Sequence, residues 1–257
     1  LHYPLRRQRQ MCIRDRVFFI EELFRRIEQL LCLPLPAALW ESEVLPARLR
    51  QYSTSWLDSA VGESNLRWVG SEKQRITFCF EPDLDLLQEN STGEADTEKS
   101  TGDAELADVF PSTLGKYDFS TLLTQSGFRP GQLSNRLWDA AWQGKVTNDT
   151  ITALRRGILN RFKPPEIEVL PAHRRFRHRR TTGGRPGFTR WKNTLPYAGN
   201  WFLLPNPEPD EDLLETEERM KDRVRLLLDR YGILFRELLE KEAPVFQWRN
   251  VFRALRL

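Results

Sequence analysis

The stretch LRWVGSEKQRITFCF, Leu66 to Phe80, decides the fold of the first part of this chain. Two short runs, LRWVG and RITFCF, flank a polar turn, and Ile76, Phe78 and Phe80 alternate with other residues in the second run. Period-two alternation interrupted by a turn marks a half-buried hairpin. Three helical patterns stand before it. Ile20, Leu23, Phe24, Ile27, Leu30 and Leu31 make one apolar stripe, stopped by the prolines of CLPLP, Cys32 to Pro36. A short helix is expected around Ala37 to Val44, and a third behind Ser53 as N-cap, with Trp56, Leu57, Ala60 and Val61 facing inward. Three helices and a hairpin make a winged helix, with the hairpin as its wing.

Further along, LWDAAWQGKVTNDT, Leu137 to Thr150, reads as a helix that stops at Gly144, a β-like step and a new helix. Leu133, Leu137, Ala140 and Ala141 fall on one stripe, with Trp138 and Trp142 to its side. Pro130 suits the first turn and Gly144 the position past the end. Asn148 or Asp149 could cap the helix that carries Ile151, Leu154 and Ile158. Upstream, Phe119, Leu122 and Leu123 begin a helix behind Asp118, and Gly127 ends it. This unit shows no evident two-stranded wing, although RFKPPEIEVLP offers one strand through Ile167, Val169 and Leu170. A third unit has Met220, Val224, Leu227, Leu228 and Tyr231 on one face, a stop at Gly232, a helix from Leu234 to Glu242, and a last helix in VFQWRNVFRALRL with no wing after it. The expected fold class is mainly α with small β-hairpins: tandem winged-helix domains over residues 17–90, 109–170 and 213–257, joined by linkers.

Charge is unevenly spread. The formal net charge is +3, but residues 1–16 hold five Arg and one Asp, which leaves −1 for the rest. Within them QMCIRDR, Gln10 to Arg16, matches the translated mosaic-end adaptor of transposon-based sequencing libraries. Residues 1–16 are therefore expected to be an adaptor scar or a disordered arm. Residues 17–90 are net acidic, with seven basic and twelve acidic side chains. Residues 91–108 add six acids and one lysine among Ser, Thr and Gly, the composition of a solvated acidic linker. Residues 109–207 reverse the sign, with sixteen cations against five acids.

Half of those cations sit in an expected Arg-rich linker, residues 171–212. Its segment Ala172 to Lys192 has seven Arg, one Lys and no acid, with Phe176, Phe188 and Trp191 interleaved. Phosphate contacts and base stacking use that combination, and a plain solvated linker also has it. The candidate nucleic-acid-binding residues are Arg161, Lys163, Arg174, Arg175, Arg177, Arg179, Arg180, Arg185, Arg190 and Lys192, together with Asn135 and Arg136 on the preceding helix. On that helix Asp139 weakens the set for base reading.

Other chemistry is not signalled. No GxxxxGK[ST] loop is present to cradle a nucleoside triphosphate. His2, His173 and His178 make no ligand set, and the last two stand in an arginine run that would repel a divalent cation. Cys12, Cys32 and Cys79 are odd in number and lack CxxC spacing, which fits a reducing, cytoplasmic setting. No apolar run approaches the roughly 20 residues of a membrane span. Carboxylates read as solvated, and Trp40, Trp56, Trp138, Trp142 and Trp248 as packing residues. No catalytic residue, cofactor or metal site is expected.

Four segments resemble the Lhr-type (large helicase-related) bacterial superfamily 2 DNA helicases, in the long form with a C-terminal extension. They are LWESEVLPARLRQYSTSWLD (Leu39 to Asp58) with GESNLRWVG after it, LWDAAWQGKVTNDT, AGNWFLLP (Ala198 to Pro205) and LLLDRYGILFRELLEKEAP (Leu226 to Pro244). Their order and approximate spacing are the family's. The resemblance implies winged helices downstream of a helicase core, with ATP and Mg bound by motor domains that would precede residue 17, and a glycosylase-like β-barrel that would follow Leu257. It implies a non-catalytic role: binding DNA or RNA, single-stranded or duplex, in support of DNA repair, with the helicase core in cis as partner and no membrane. One alternative is a structural scaffold that packs on the motor without direct nucleic-acid contact. Another is part of a winged-helix DNA glycosylase-like module.

Overall fold

The computed structural model describes residues 19–87, 106, 108–163, 198–205 and 213–256. Helix α1, residues 19–28, buries Leu23 and Ile27, with Leu30 and Leu31 buried just past its end. Strand β1 (Leu35–Pro36) follows, then a π-helical turn, Trp40–Val44, that runs into helix α2 (Leu45–Arg48). The expected helix at Ala37 to Val44 is thus displaced toward the C-terminus. Pro46 has no N–H to donate and is accommodated only where a first helical turn leaves donors unpaired. Helix α3 (Thr54–Glu63) buries Leu57, Ala60 and Val61. Ser53 precedes it as expected, but its hydroxyl bonds Ser55 and not the backbone.

Strands β2 (Leu66–Glu72) and β3 (Arg75–Phe80) then pair antiparallel, with Trp68 opposite Phe78. Strand β1 joins the far side of β3, giving the order β1-β3-β2. The first unit is the winged helix read from the sequence.

The second unit comprises β4 (Tyr117–Asp118), α4 (Phe119–Ser126), α5 (Pro130–Trp142), β5 (Val146–Asn148), α6 (Ile151–Leu159) and β6 (Asn200–Leu203). Asp118 caps α4 by accepting from the Thr121 amide at 3.3 Å, and Gly127 ends it at φ 65°. The sheet order, β4-β6-β5, repeats that of the first unit. So this unit does have a wing. Its second strand is β6, held to β5 through Val146 opposite Leu203 and Asn148 opposite Trp201. The candidate strand at Ile167, Val169 and Leu170 lies outside the described residues.

Two corrections follow. Residues 200–203 belong to the second sheet, although they fall within the span 171–212 expected to be linker. Everything between β5 and β6, α6 included, stands where the first unit has only Lys73 and Gln74 between its wing strands. The Arg-rich stretch is therefore inserted between two wing strands, not placed as a spacer between the second and third units. A third correction concerns the cap of α6. Asn148 Oδ1 accepts from the Thr150 amide and hydroxyl, both at 2.9 Å, while Asp149 turns to β6 and accepts from the Asn200 amide at 2.7 Å. Thr150 takes the N-cap position.

In the third unit, helix α7 (Leu213–Tyr231) buries Met220, Val224 and Leu227, but Leu228 is 39% exposed and lies off the packed stripe. Gly232, at φ 74°, ends it. The helix expected from Leu234 to Glu242 is a 3-10 segment, Arg236–Lys241, followed by a second, Pro244–Phe246, and by helix α8 (Trp248–Ala254).

The units pack on one another. Strands β2 and β5 are both sheet edges, and they abut: Thr147 Oγ1 donates to the Trp68 carbonyl at 2.6 Å. Covering an edge in this way removes a template for aberrant pairing. Beside this contact Gly70 lets β2 come up against the end of α5, since a Cβ there would lie 2.0 Å from the Ala141 carbonyl oxygen. The third unit seats on the first, with Arg223 Nε donating to the Leu86 carbonyl at 2.9 Å and Arg230 to that of Leu31. Arg230 also pairs with Glu242 at 2.6 Å, both side chains nearly inaccessible, so this carboxylate departs from the expected solvated surface.

Candidate nucleic-acid interface

The site is organised around Trp138. Its indole, 5% exposed, stacks on Trp142 at 5.4 Å and meets Phe162 edge-on at 4.9 Å and Trp201 at 5.3 Å. Trp68 of the first unit lies 6.2 Å away. Phe162 belongs to the turn by which the chain leaves α6, and Trp201 to the strand on which it returns. Departure and return of the Arg-rich insertion are thus pinned to one ring. The tryptophans act here as packing residues, as read from the sequence.

The departure turn shows how packing directs the charges. Arg161 and Phe162 both take left-handed backbone angles, φ 54° and 53°. The Phe162 ring fits only because residue 157 is glycine: a Cβ there would come within 2.4 Å of it. With Phe162 turned inward, Arg161 and Lys163 on either side are exposed. Phe162 was not among the candidates, and the local sequence gives no sign of its role, since its partners are on another helix.

Helix α5 supplies the second part. Gln132, Asn135, Asp139 and Gln143 recur at helical spacing and are all exposed, opposite the buried Leu133, Leu137, Ala140 and Ala141. Gln132 accepts from the Arg129 amide at 3.2 Å, which fixes the first turn. Arg136, partly buried, holds its guanidinium over the Phe128 ring at 4.3 Å, a cation–π contact. The structure therefore leaves Asn135 on the open row and Arg136 partly buried beside it. It places Arg161 and Lys163 at the exit from α6. Arg174, Arg175, Arg177, Arg179, Arg180, Arg185, Arg190 and Lys192 lie outside the described residues.

Helix α6 is fixed from its other side by Arg155. Its guanidinium forks onto Glu41, Nε to Oε2 at 2.6 Å and Nη2 to Oε1 at 2.8 Å, and reaches Asp58 at 2.6 Å and the Thr54 carbonyl at 2.9 Å. Burial alone would lower the Arg155 pKa, but Glu41 and Asp58 raise it on balance. Burial and the Glu41 carboxylate, which accepts from the Tyr52 hydroxyl at 2.5 Å, push that hydroxyl far above its ordinary range. The Arg155 guanidinium therefore stays charged, and the Tyr52 hydroxyl stays protonated, at any physiological pH. Among the described residues no cluster of His, Cys, Asp and Glu suited to a metal ion occurs, and no helix is long and apolar enough to cross a membrane.

Two sheets of the same order, each closed behind a two-helix step, define tandem winged-helix modules. Comparison with known proteins agrees. A family model described as the winged-helix domain of large helicase-related protein matches residues 5–81, and a second of the same description matches residues 214–257. The first match begins within residues 1–16, so most of the segment expected to be an adaptor scar falls inside a family-matched span. The chain is 31% identical over 244 residues to the Lhr helicase/uracil glycosylase of Escherichia coli (strain K12), covering 87% of this chain. It is 28% identical over 248 residues to the Lhr helicase/probable uracil glycosylase of Mycolicibacterium smegmatis, covering 92% of this chain. Residues 5–81 and 214–257 are thus winged-helix domains of the large helicase-related (Lhr) type, and most of the chain aligns with Lhr relatives. The chain spans about 15% of the length of each of these relatives, and the matched models are winged-helix domains, not an ATPase motor.

Proposed function

We propose that this chain is a non-catalytic, nucleic-acid-holding region of an Lhr-type ATP-dependent helicase and supports DNA repair. Its partners on this reading are DNA or RNA, single-stranded or duplex, and the helicase core in cis, in the cytoplasm. The observation that carries the proposal is that α5, which bears an open polar row, and Phe162, flanked by the exposed Arg161 and Lys163, are anchored to the same Trp138 ring. The Arg-rich insertion leaves from that point, and its cations would contact phosphate without regard to sequence. No cofactor is held here; ATP and Mg belong to motor domains elsewhere in the protein. The relatives' names, helicase with uracil or probable uracil glycosylase, agree with work on nucleic acid.

Fluorescence anisotropy of labelled 30-nucleotide single strands and duplexes, DNA and RNA, tests the proposal. Binding that weakens linearly in log K against log salt is expected. No binding at about 50 mM salt, well inside the range where phosphate contacts dominate, contradicts it. The scaffold reading draws on one observation of its own, the Arg155 network that ties the units together. It predicts retention of the helicase core without nucleic acid.

A further inference from the structure

The two winged helices differ in what lies over the helix that follows the first helical step, the one that in helix-turn-helix folds enters the major groove. In the second unit this is α5, whose outward row of Gln132, Asn135, Asp139 and Gln143 is exposed. In the first it is α3. Its outward Thr54, Ser55, Asp58 and Gly62 are exposed too, but here Arg155 of α6 lies across the first turn, bonded to Asp58 and to the Thr54 carbonyl. One step on, Ser59 is only 9% exposed. Trp56 is stacked on Phe19 of α1 at 4.8 Å. Charge within the helices points the same way: α3 contains Asp58 and Glu63 and no cation, whereas α5 sets Arg136 against Asp139.

We infer that the first winged helix has given its reading helix to an internal docking contact with α6, so that nucleic acid meets only the reading helix of the second. The first unit is a bracket. It holds α6, and through α6 the departure point of the insertion, against an acidic surface that turns phosphate away. This inference rests on the proposed nucleic-acid function and assigns it to one of two modules with the same fold.

Single lysines placed on exposed positions of each helix in the full chain separate the cases. Ser55→Lys and Gly62→Lys probe α3, where a Cβ on Gly62 meets nothing within 4 Å. Asn135→Lys and Asp139→Lys probe α5. With a labelled duplex, each α5 lysine is expected to steepen the slope of log K against log salt by up to about 0.9 per new phosphate contact, and each α3 lysine to leave it unchanged. Thermal melts confirm that each variant is folded. Equal steepening from both helices overturns the inference, as does a flat response from α5 in a chain that binds. If the native chain binds nothing, the proposed function itself fails.

Discussion

The rings of Trp138 and Trp201 meet at right angles with their centroids 5.3 Å apart. One stands on helix α5, the other on strand β6, and 62 residues of sequence lie between them, most of them in the insertion. Edge-to-face contact favours this pose over a parallel sandwich. The pair ties the second wing strand to α5.

Trp138→Ala is expected to lower stability by about 3–5 kcal/mol, the usual range for removing a buried tryptophan. In a chain of this size that is a fall in Tm of roughly 10 °C. Proteolysis should then cut near Phe162 and Trp201 faster than near Trp40 in the first core. Unchanged protection around residues 160–163 and 198–203 would show that the ring is not the anchor.

The Arg155 fork onto Glu41 gives a second prediction. Hydrogen bonds to charged partners contribute about 1.5–3 kcal/mol, and partial exposure on both sides, 24% and 21%, reduces this toward the lower value. Arg155→Ala should cost about 1–3 kcal/mol. Arg155→Lys should recover less than half of it, because an ammonium cannot grip a carboxylate at two points. A double-mutant cycle with Glu41→Gln measures the coupling, and a value near zero would mean that the units are held by packing alone.

Two glycines provide opposite signs from the same substitution. Gly70→Ala drives a Cβ into the Ala141 carbonyl, which is backbone and cannot swing aside, so a loss of about 1–3 kcal/mol is expected. Gly62→Ala meets no neighbour and should gain about 0.5–1 kcal/mol from helix propensity. Urea melts of the two variants read the difference directly; a neutral Gly70→Ala would mean that β2 does not pack against the end of α5.

Asp118 predicts a pH dependence. Hydrogen bonds from Ser120 and Thr121 hold its carboxyl below the usual aspartate range. A carboxylate whose pKa is depressed by folding stabilises the fold above its unfolded pKa, about 3.9, and loses that contribution as pH falls through the folded value. Asp118→Ala should therefore cost about 1 kcal/mol at neutral pH, the typical value of a cap. The gap to the native chain should stay constant between about pH 6 and 8 and narrow in acid. A gap that widens on acidification would contradict the cap.

The helices were legible where a single face is buried. Leu23 and Ile27, or Leu133 and Leu137, repeat at 3.6-residue spacing because only one side of each helix meets the core. The hairpin at Leu66 to Phe80 was legible because its partner strand is next in sequence. Strand β6 was not. Asn200 to Leu203 pairs with residues more than fifty positions away, and no local pattern names such a partner. Without β6 the insertion looks like a linker. The end of the chain misled for another reason: Arg236 to Lys241 has helical spacing, but the 3-10 winding that seats Glu242 against Arg230 comes from a tertiary contact. Of the site, residue types were readable and geometry was not. Asn135 and Arg136 could be listed from their helix, whereas the roles of Phe162, Trp201 and Arg155 depend on contacts between units.

Salt dependence of binding after removal of the inserted cations tests the nucleic-acid proposal most directly. Changing Arg174, Arg175, Arg177, Arg179 and Arg180 to Gln removes five cations from the insertion. If all five touch phosphate, the slope of log K against log salt for single-stranded or duplex DNA falls by roughly 3 to 5, at about 0.7 to 0.9 per contact. A double change of Asn135 and Arg136 should matter less. A five-glutamine variant that bound both forms with native affinity and native slope would make the insertion a bystander, and the winged helices would then stand as a scaffold.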